Sequence, residues 1–253
     1  MKSYPMYIFL IVRSGSTRLP NKALKKIGNE YLIEFLINRI RQIKEIDKVV
    51  VCTTDKKSDD ELVSILKKNN VDVFRGDEQD VLDRLYNAAK KFQVKEFLVV
   101  EGDDVFCEPI FIKETYKKLK GSDKEFLFWE NVPFGVSPLG LRFNKLQEIV
   151  NKKKTKNTDT GWGRFIIQSG LFKVEKLEPI DDDLKRPDIR LSVDYQEDLN
   201  LIMKIFEHLP KVFTLKDIIA IIDENPSWMM INESARRKYK ENFENKAIGS
   251  GEI

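Results

Sequence analysis

A loop at residues 13–22, with the sequence RSGSTRLPNK, carries three cations within ten residues. The cations are Arg13, Arg18 and Lys22, and glycine and serine lie between them. Backbone amides of such a segment can form a nest for an anion, and the cations can neutralise a polyphosphate. A basic loop can also be merely solvated, but three cations spaced through a glycine-serine loop favour a phosphate site.

Acidic residues follow two later apolar runs. Residues 101–104 read Glu-Gly-Asp-Asp, and Asp194 follows a second, shorter run. Because Mg²⁺ prefers oxygen ligands, Asp103 and Asp194 could share one metal ion, with Asp104 as a further candidate ligand. The alternative role is helix capping. We prefer capping for Asp104 and Asp198, and both interpretations stay open for Asp194.

The loop at 13–22 fits neither of the common glycine-rich nucleotide motifs. It lacks the Gly-Lys-Ser/Thr of a P-loop and the GxGxxG of a dinucleotide fold. The single histidine, His208, falls late in a predicted helix, where a structural role explains it. With no Ser-His or Cys-His pairing, triad chemistry is disfavoured. Phosphoryl or nucleotidyl transfer fits better, because positioning and charge neutralisation carry most of that catalysis.

Alternating strands and helices must position these residues. Predicted strands cover 7–12, 48–53, 71–75 and 95–101. Predicted helices cover 32–44, 58–69, 80–92 and 110–119. Ser58 and Asp80 are candidate N-caps, and Pro109 suits a first helical turn. The pattern predicts a mostly parallel, Rossmann-like α/β sheet with helices on both faces. Ligands bind at the carboxyl ends of such strands, where 13–22 and 101–104 fall.

The second half of the chain is less regular. Segment 126–172 is interrupted by four proline and glycine residues between positions 133 and 140, and we interpret it as a small strand-rich insert or lid. A further strand is predicted at 190–193, with helices at 195–207 and 215–223. A length of 253 residues suits one principal domain. We place this domain at 1–244 and a flexible tail at 245–253.

Composition excludes several classes of protein. The 44 Lys and Arg residues nearly balance 41 Asp and Glu, and a net charge of +3 does not indicate nucleic-acid binding. Cys52 and Cys107 form neither a disulfide framework nor a metal spacing, so reduced thiols are expected. The apolar start at 7–12 is too short for a signal peptide, and no run approaches the ~20 residues of a membrane span. We expect a cytoplasmic protein without membrane insertion.

The loop at 13–22 resembles the N-terminal signature of acid-sugar cytidylyltransferases, and the spore-coat-polysaccharide branch is the most similar. The resemblance continues at 50–55 (VVCTTD), 74–84 (FRGDEQDVLDR), 102–103 (GD) and 190–199 (RLSVDYQEDL). The first and third segments together are specific, because an unrelated α/β protein rarely carries both in this order. The fold that the resemblance implies is a GT-A-like nucleotidyltransferase.

The resemblance implies transfer of a cytidylyl group from CTP to a small acidic or phosphorylated acceptor: an acid sugar, sugar phosphate or phosphonate for surface polysaccharide biosynthesis. Asp103 and Asp194 would hold Mg²⁺. Arg13, Lys22 and Asp103 would be catalytic, with the two cations stabilising charge at the reacting phosphorus. Asp55 would approach the base or ribose, and a homodimer is implied. The residues expected at the nucleotide are Arg13, Ser14, Gly15, Ser16, Arg18, Lys22, Asp55, Arg75, Asp83 and Arg84.

Three features depart from the family pattern. Val12 stands where alanine is usual, which affects packing. After Asp103, the residues Asp-Val-Phe replace the usual Cys or Glu, Pro and Leu, which leaves the acceptor side open. Segment 126–172 matches no family segment, and its aromatic and basic residues are candidates for the acceptor pocket. Trp129 and Trp162 suit the core better than a stacking surface.

Two other functions stay open at this point. A GT-A-like glycosyltransferase could use Asp103 and Asp104 as its metal-binding pair, although a nucleotide sugar presents only a diphosphate and needs fewer cations than 13–22 supplies. A nucleotide-binding protein that lost turnover would keep the same loop. Pyrophosphate release from CTP would exclude the first, and CTP binding without any product would favour the second.

Overall fold

The computed structural model describes residues 5–246, and describes side chains as far as residue 242. The strands are β1 (Met6–Ile11), β2 (Lys26–Ile27), β3 (Glu30–Tyr31), β4 (Ile46–Thr54), β5 (Asp72–Gly76), β6 (Glu96–Glu101), β7 (Phe126–Trp129), β8 (Leu139–Arg142) and β9 (Val174–Leu177). The α-helices are α1 (Leu32–Arg41), α2 (Asp60–Lys68), α3 (Val81–Phe92), α4 (Pro109–Gly121), α5 (Phe143–Lys152), α6 (Trp162–Ser169), α7 (Gln196–Phe206), α8 (Leu215–Glu224) and α9 (Glu233–Lys246). Short 3₁₀ helices lie at Lys22–Leu24, Lys57–Asp59, Asp182–Leu184 and Pro226–Met230.

Within the described residues, one seven-stranded sheet has the order β5-β4-β1-β6-β8-β7-β9. Strands β5, β4, β1 and β6 are mutually parallel, and β7 is parallel to β9. Strand β8 runs antiparallel to both of its neighbours, β6 and β7. The predicted mostly parallel α/β sheet is therefore confirmed. Strands β2 and β3 form a separate hairpin beside α1.

Strand β1 shows why the sheet carries helices on both faces. Successive side chains of a strand point to opposite faces. Ile8 and Leu10 accordingly enter one buried cluster with Leu36 of α1, whereas Phe9 enters a second cluster with Leu85 of α3. A third cluster joins α7 and α8 to the loop after β6. Each face thus buries an apolar stripe of amphipathic helices, as the sequence periodicity predicts.

Segment 126–172 contributes two strands to the central sheet. Its strands β7 and β8 belong to the central sheet, because β8 pairs with β6 through Leu141 opposite Phe97. Both of these side chains are completely buried, so the pairing extends the core. The segment also contains the helices α5 and α6. The division into a domain at 1–244 and a lid stays a prediction. Of the predicted tail, residues 245 and 246 belong to the end of α9. The rest of the tail lies outside the described residues.

Local predictions had mixed outcomes. Asp80 caps α3, where its carboxylate accepts from the amide of Asp83 at 3.1 Å, and Pro109 begins α4. The Ser58 cap is wrong, because a 3₁₀ turn occupies that position and α2 begins at Asp60. The strand predicted at 190–193 is also wrong, since Arg190 forms only a single bridge. None of the helices in residues 5–246 has the length and apolar character to span a bilayer.

Candidate active site

A cleft of about 930 Å³ lies where β1 and β6 end. Its walls come from the loops after these strands, the β7–β8 connection and α6, with Tyr239 and Asn242 of α9 at one side. This is the edge of the sheet at which ligands bind in open parallel α/β folds.

The ammonium of Lys22 lies between two carboxylates. Its Nζ is 2.5 Å from Oδ2 of Asp103 and 3.0 Å from Oδ1 of Asp194. The Lys22 side chain is only 13% exposed. Burial alone would lower the pKa of Lys22, but the two carboxylates more than compensate and raise it above its ordinary value. Lys22 is therefore a permanently charged group that joins the two acids predicted to share a metal.

Asp194 is surrounded by cations. Besides Lys22, its carboxylate accepts from Arg18 at 2.5 Å and from Arg190 at 2.8 Å. Burial opposes ionisation, yet these three cations together lower the pKa of Asp194 to about 2. Its side chain thus faces the cleft and does not cap α7.

The capping role belongs to Asp198, as predicted. Its fully buried carboxylate accepts from the amides of Asp194 and Tyr195, each at 3.0 Å, and also pairs with Arg190. These donors satisfy the hydrogen-bonding capacity of the buried carboxylate, so its burial leaves no unpaired polar group. Arg190 bridges Asp194 and Asp198 and so holds the first turn of α7 against the cleft.

A cluster of acids follows β6. Ligand oxygens of Glu101, Asp103 and Asp104 lie within 4.8 Å of one another. Burial, reinforced by Asp103, raises the pKa of Glu101 to about 7, although Glu101 accepts from the indole of Trp162 at 3.0 Å. Burial and the neighbouring acids likewise raise the pKa of Asp104 well above its usual range. Such concentrated carboxylates suit a hard divalent cation.

The capping role preferred for Asp104 is wrong. Glu108 is the N-cap of α4, and its carboxylate accepts from the amide of Ile110. Asp104 lies four residues earlier, in a turn closed by the bond from the Cys107 amide to its carbonyl at 2.9 Å. Asp104 is too far before the predicted helix start to cap it, because Pro109 sets the first turn and Glu108 is the cap.

Backbone contacts bring Asp194 beside Asp103. The amide of Val193 donates to the carbonyl of Asp103 at 3.0 Å, and Leu191 donates to Phe134 at 2.7 Å. Gly135, with φ 94°, passes so close to this segment that an added Cβ would lie 2.4 Å from the Ser192 nitrogen. Segment 190–194 therefore reaches the site through loop contacts, although it forms no strand.

The loop at 13–22 is anchored by Asp59, which the sequence motifs do not indicate. The Asp59 carboxylate accepts from the amide of Ser14 at 2.7 Å and from the Thr53 hydroxyl at 2.7 Å, and Thr54 adds two further donors. Asp59 is fully buried. Two adjacent threonines at the end of a strand, followed by a nearby aspartate, were the available signal, since a buried carboxylate needs several donors.

Arg13 has two carboxylate partners at the mouth of the cleft. Its guanidinium lies 2.7 Å from Asp159 and 3.1 Å from Glu78. Neither acid is indicated by the sequence motifs, because each is remote from Arg13 along the chain. The contact with Asp159 ties the loop at 13–22 to the segment that leads into α6.

Arg84 is almost completely buried in the wall of the cleft, with 1% exposure. One of its terminal nitrogens donates to the Asp77 carbonyl at 3.0 Å, while its Nε has no hydrogen-bond partner among the described residues. Burial lowers the pKa of Arg84 below its ordinary value. A buried guanidinium with an unused donor is a candidate contact for a polar ligand group.

The ten residues expected at the nucleotide divide into two groups. Those lining the cleft are Arg13, Ser16, Arg18, Lys22 and Arg84. The lining does not include Ser14, Gly15, Asp55, Arg75 or Asp83. Arg75 instead braces the turn after β4, where it donates to the carbonyls of Thr54 and Lys56 and pairs with Asp60. Asp83 accepts from the Asn87 side chain on α3.

Two expectations about packing are confirmed. Trp129 and Trp162 are buried, at 9% and 3% exposure, and belong to the core even though both reach the cleft. Val12 packs directly on Gly102, where an added Cβ would lie 2.6 Å from the Cβ of Val12. The valine therefore affects packing beneath the acidic cluster.

A sequence model of the family described as cytidylyltransferase matches residues 8–216. An uncharacterized protein of Methanocaldococcus jannaschii is 33% identical over 232 residues, which cover 90% of this chain and 95% of that protein. The spore coat polysaccharide biosynthesis protein SpsF of Bacillus subtilis is 28% identical over 229 residues, covering 87% and 95%. A solved cytidylyltransferase structure from Leptospira borgpetersenii has a TM-score of 0.80 at 26% identity, with 88% and 96% of the two chains covered.

The family match contains the loop at 13–22, the acidic cluster after β6 and Asp194. It therefore favours nucleotidyl transfer over glycosyl transfer at this cleft. The similarity to the solved cytidylyltransferase structure, over 88% of this chain, agrees with the predicted fold. The chain belongs to the cytidylyltransferase family, its resemblance to the acid-sugar members is confirmed, and it is a CTP-dependent nucleotidyltransferase.

Proposed function

We propose that the enzyme transfers a cytidylyl group from CTP to a small acidic or phosphorylated acceptor and releases pyrophosphate. The acceptor is an acid sugar, a sugar phosphate or a phosphonate. Surface polysaccharide biosynthesis is the proposed setting, supported by the name of the similar Bacillus subtilis protein. The observation that carries the proposal is the Lys22 ammonium held between Asp103 and Asp194, 2.5 and 3.0 Å away, at the carboxyl edge of the sheet.

The cations of the loop after β1 bind the triphosphate in this proposal. Arg13, Arg18 and Lys22 line one continuous cleft. The amides of Ser14 and Ser16 already donate to Asp59 and to the Ser14 carbonyl, so these side-chain cations carry the binding. Lys22 acts as a fixed positive charge and not as a base, because its pKa is raised. Arg84 contacts the nucleoside, since its buried guanidinium has an unused donor. Contacts from Ser14, Gly15, Asp55, Arg75 and Asp83 stay predictions.

The acids at this edge fit Mg²⁺. Every candidate ligand is a carboxylate, and Lys22 occupies the space between Asp103 and Asp194. Asp103 and Asp194 would hold the ion, and Asp104 is a further candidate. When bound, Mg²⁺ would supply positive charge to the phosphate oxygens.

The reaction is an in-line displacement at the α-phosphorus of CTP. A bond forms between an acceptor oxygen and the α-phosphorus, and the bond from that phosphorus to the oxygen leading to the β-phosphorus breaks. Arg13 and Lys22 neutralise the charge that develops on the phosphoryl oxygens.

Pyrophosphate release tests the proposal. The wild type is incubated with Mg²⁺, each of the four nucleoside triphosphates, and a panel of acid sugars, sugar phosphates and phosphonates. We expect release that requires CTP together with one acceptor class. Asp103→Asn should reduce that release by about 10²-fold or more, because Asp103 would no longer help to hold the Mg²⁺ whose charge stabilises the transition state.

Asp123→Asn is the matched control, since Asp123 is a surface acid whose side chain is 68% exposed. It should retain wild-type rates. CTP binding without pyrophosphate release across the whole panel would contradict the proposal. Equal activity of Asp103→Asn and Asp123→Asn would contradict the role of the metal site.

The family resemblance also supports a homodimer in the cytoplasm as part of the proposal. Light scattering of the purified protein, measured with and without CTP and Mg²⁺, tests the dimer. A mass near 29.6 kDa at every concentration would contradict it, because that is the mass of one chain.

A further inference from the structure

Helix α9 reaches the cleft although it lies beyond the family match. The match ends at residue 216, whereas α9 covers Glu233–Lys246. Two of its residues, Tyr239 and Asn242, line the cleft. A wall that the family model does not include is a place where this chain can differ from other members in what it binds.

The position of this wall follows from the order of the strands. The expected nucleotide segment 74–84 covers the end of β5 and the start of α3, on one side of β1, and Arg84 lies in the cleft wall there. On the other side of β1, beyond β6, the wall is formed by Phe134 of the β7–β8 connection and by Tyr239. If the nucleotide binds on the first side, the second side remains available for the acceptor.

Tyr239 forms an aromatic pair next to the reacting groups. Its ring centre is 5.0 Å from that of Phe134, which is 42% exposed. The guanidinium of Arg190 lies over the Tyr239 ring at 4.4 Å, and Arg190 donates to Asp194. The Tyr239 ring is therefore separated from an expected metal ligand by one side chain.

Asn242 is linked to the phosphate loop on the same side. Its amide donates to the hydroxyl of Tyr195 at 3.1 Å, and Arg18 lies 5.5 Å from the centre of the Tyr195 ring. Asn242 is exposed in the cleft. Its side chain has two donors and one acceptor oxygen, so one bond to Tyr195 leaves capacity for a ligand.

We propose that Tyr239 and Asn242 form the acceptor-specific wall of the site and select a carbohydrate acceptor. The Phe134–Tyr239 pair presents an apolar surface that suits the C–H face of a sugar ring. The amide of Asn242 suits the hydroxyl groups at the edge of the same ring. The inference rests on the proposed function, because it needs CTP turnover to place an acceptor in the cleft.

Two variants test the wall by steady-state kinetics with saturating CTP and Mg²⁺. The probe is the member of the acceptor panel that gives the wild type its highest rate of pyrophosphate release. Asn242→Ala should raise the acceptor KM by about threefold to tenfold, the effect of one lost hydrogen bond. Tyr239→Leu, which keeps an apolar side chain but removes the ring, should raise it by a similar factor. The KM for CTP should change by less than about twofold, because ground-state nucleotide contacts are kept.

Matched controls lie on other helices. Asn200 is an exposed asparagine of α7, and Tyr86 is a tyrosine of α3 stacked on Phe143 at 5.4 Å; neither lines the cleft. Asn200→Ala and Tyr86→Leu should leave the acceptor KM unchanged. If circular dichroism shows that Tyr239→Leu does not fold, the acceptor KM of Asn242→Ala alone tests the proposal.

The outcomes separate this inference from the proposed function. If the wild type turns over and Asn242→Ala keeps the wild-type acceptor KM and acceptor ranking, the inference is overturned alone. A rise in the KM for CTP equal to that for the acceptor would also overturn it, because the wall would then serve the nucleotide. A wild type without turnover would overturn the proposed function and this inference together.

Discussion

Arg13 donates to the carboxylate of Asp159 at 2.7 Å, across 146 residues of sequence. The same guanidinium lies 3.1 Å from Glu78. These carboxylates occupy donors that a triphosphate would use. Binding of CTP at Arg13 must therefore displace or share them, which couples nucleotide binding to the segment that leads into α6.

Replacing Asp159 should tighten CTP binding. Asp159→Asn removes one carboxylate that competes with the triphosphate for Arg13, whose side chain is 33% exposed. Partly exposed ion pairs contribute ~0.2–1 kcal/mol, so the Kd for CTP should fall about 1.5-fold to fivefold. Titration calorimetry with Mg²⁺ measures it. Asp182→Asn is the control, because it removes a surface ion pair with Lys185. Weaker CTP binding by Asp159→Asn would contradict the prediction and show that this carboxylate helps the nucleotide to bind.

Lys22 should act on turnover. Lys22→Met removes the charge between Asp103 and Asp194, and kcat should fall by about 10²-fold or more, because that charge faces the developing negative charge. Lys26→Met is the matched control, since Lys26 is exposed and its ammonium lies 4.1 Å from the centre of the Tyr31 ring. If Lys22→Met keeps its kcat and loses only CTP affinity, Lys22 stabilises bound CTP and the transition state equally, and the prediction is wrong.

Stability should fall as pH rises through the range in which Glu101 titrates. Burial, with Asp103, raises the pKa of Glu101 from 4.5 to about 7, so the folded protein holds its proton more tightly than the unfolded chain. Between these two values stability decreases with pH, and the loss is complete above about 7. At 1.36 kcal/mol per pKa unit the wild type should lose up to about 3 kcal/mol.

Urea unfolding in metal-free buffer at several pH values between 4.5 and 8 measures this effect. Glu101→Gln cannot ionise at this position and should show a flatter profile. Mg²⁺ should also flatten the wild-type profile, because a bound cation favours the ionised cluster. Parallel profiles for the wild type and Glu101→Gln would rule out Glu101 as the source.

Gly135→Ala should destabilise the fold around Asp194. Gly135 has φ 94°, and an added Cβ would lie 2.4 Å from the Ser192 nitrogen. Backbone strain and a forced shift of 190–194 should together cost about 3 kcal/mol. Gly121→Ala is the control, because its added Cβ meets nothing within 4 Å. Equal free energies of unfolding for the two variants would show that the loop at 133–137 can shift to accommodate the added methyl group without destabilising the fold.

Local patterns predicted much of the first half of the molecule. Strands β1, β4, β5 and β6 and helices α1 to α4 fall within a few residues of the predicted ranges, because each buries a periodic apolar stripe of its own. The strand predicted at 190–193 failed for the opposite reason. Leu191 and Val193 are buried against α7 and α8, so their apolar character reflects loop packing and not sheet pairing.

Local sequence patterns predicted only part of the candidate site. Arg13, Arg18, Lys22 and Asp103 follow strand ends, where the sheet topology exposes residues to a ligand. Asp159 and Tyr239 carry no such signal, and the two threonines before Asp59 do not indicate its contact with Ser14. Their partners Ser14, Arg13 and Arg190 lie far away in sequence, and contacts of this kind depend on which loops meet after folding.

The sequence alone determined the alternating α/β elements and the chemistry gathered in 13–22 and 101–104, because residue type and short-range spacing are local properties. The tertiary structure alone decided that Asp194 faces Lys22 while Asp198 caps α7, and that Asp104 joins the acids and does not cap a helix. It also placed α9 against the cleft. The physical reason is that a carboxylate's role depends on its distance to other charges and on its burial, and folding sets both.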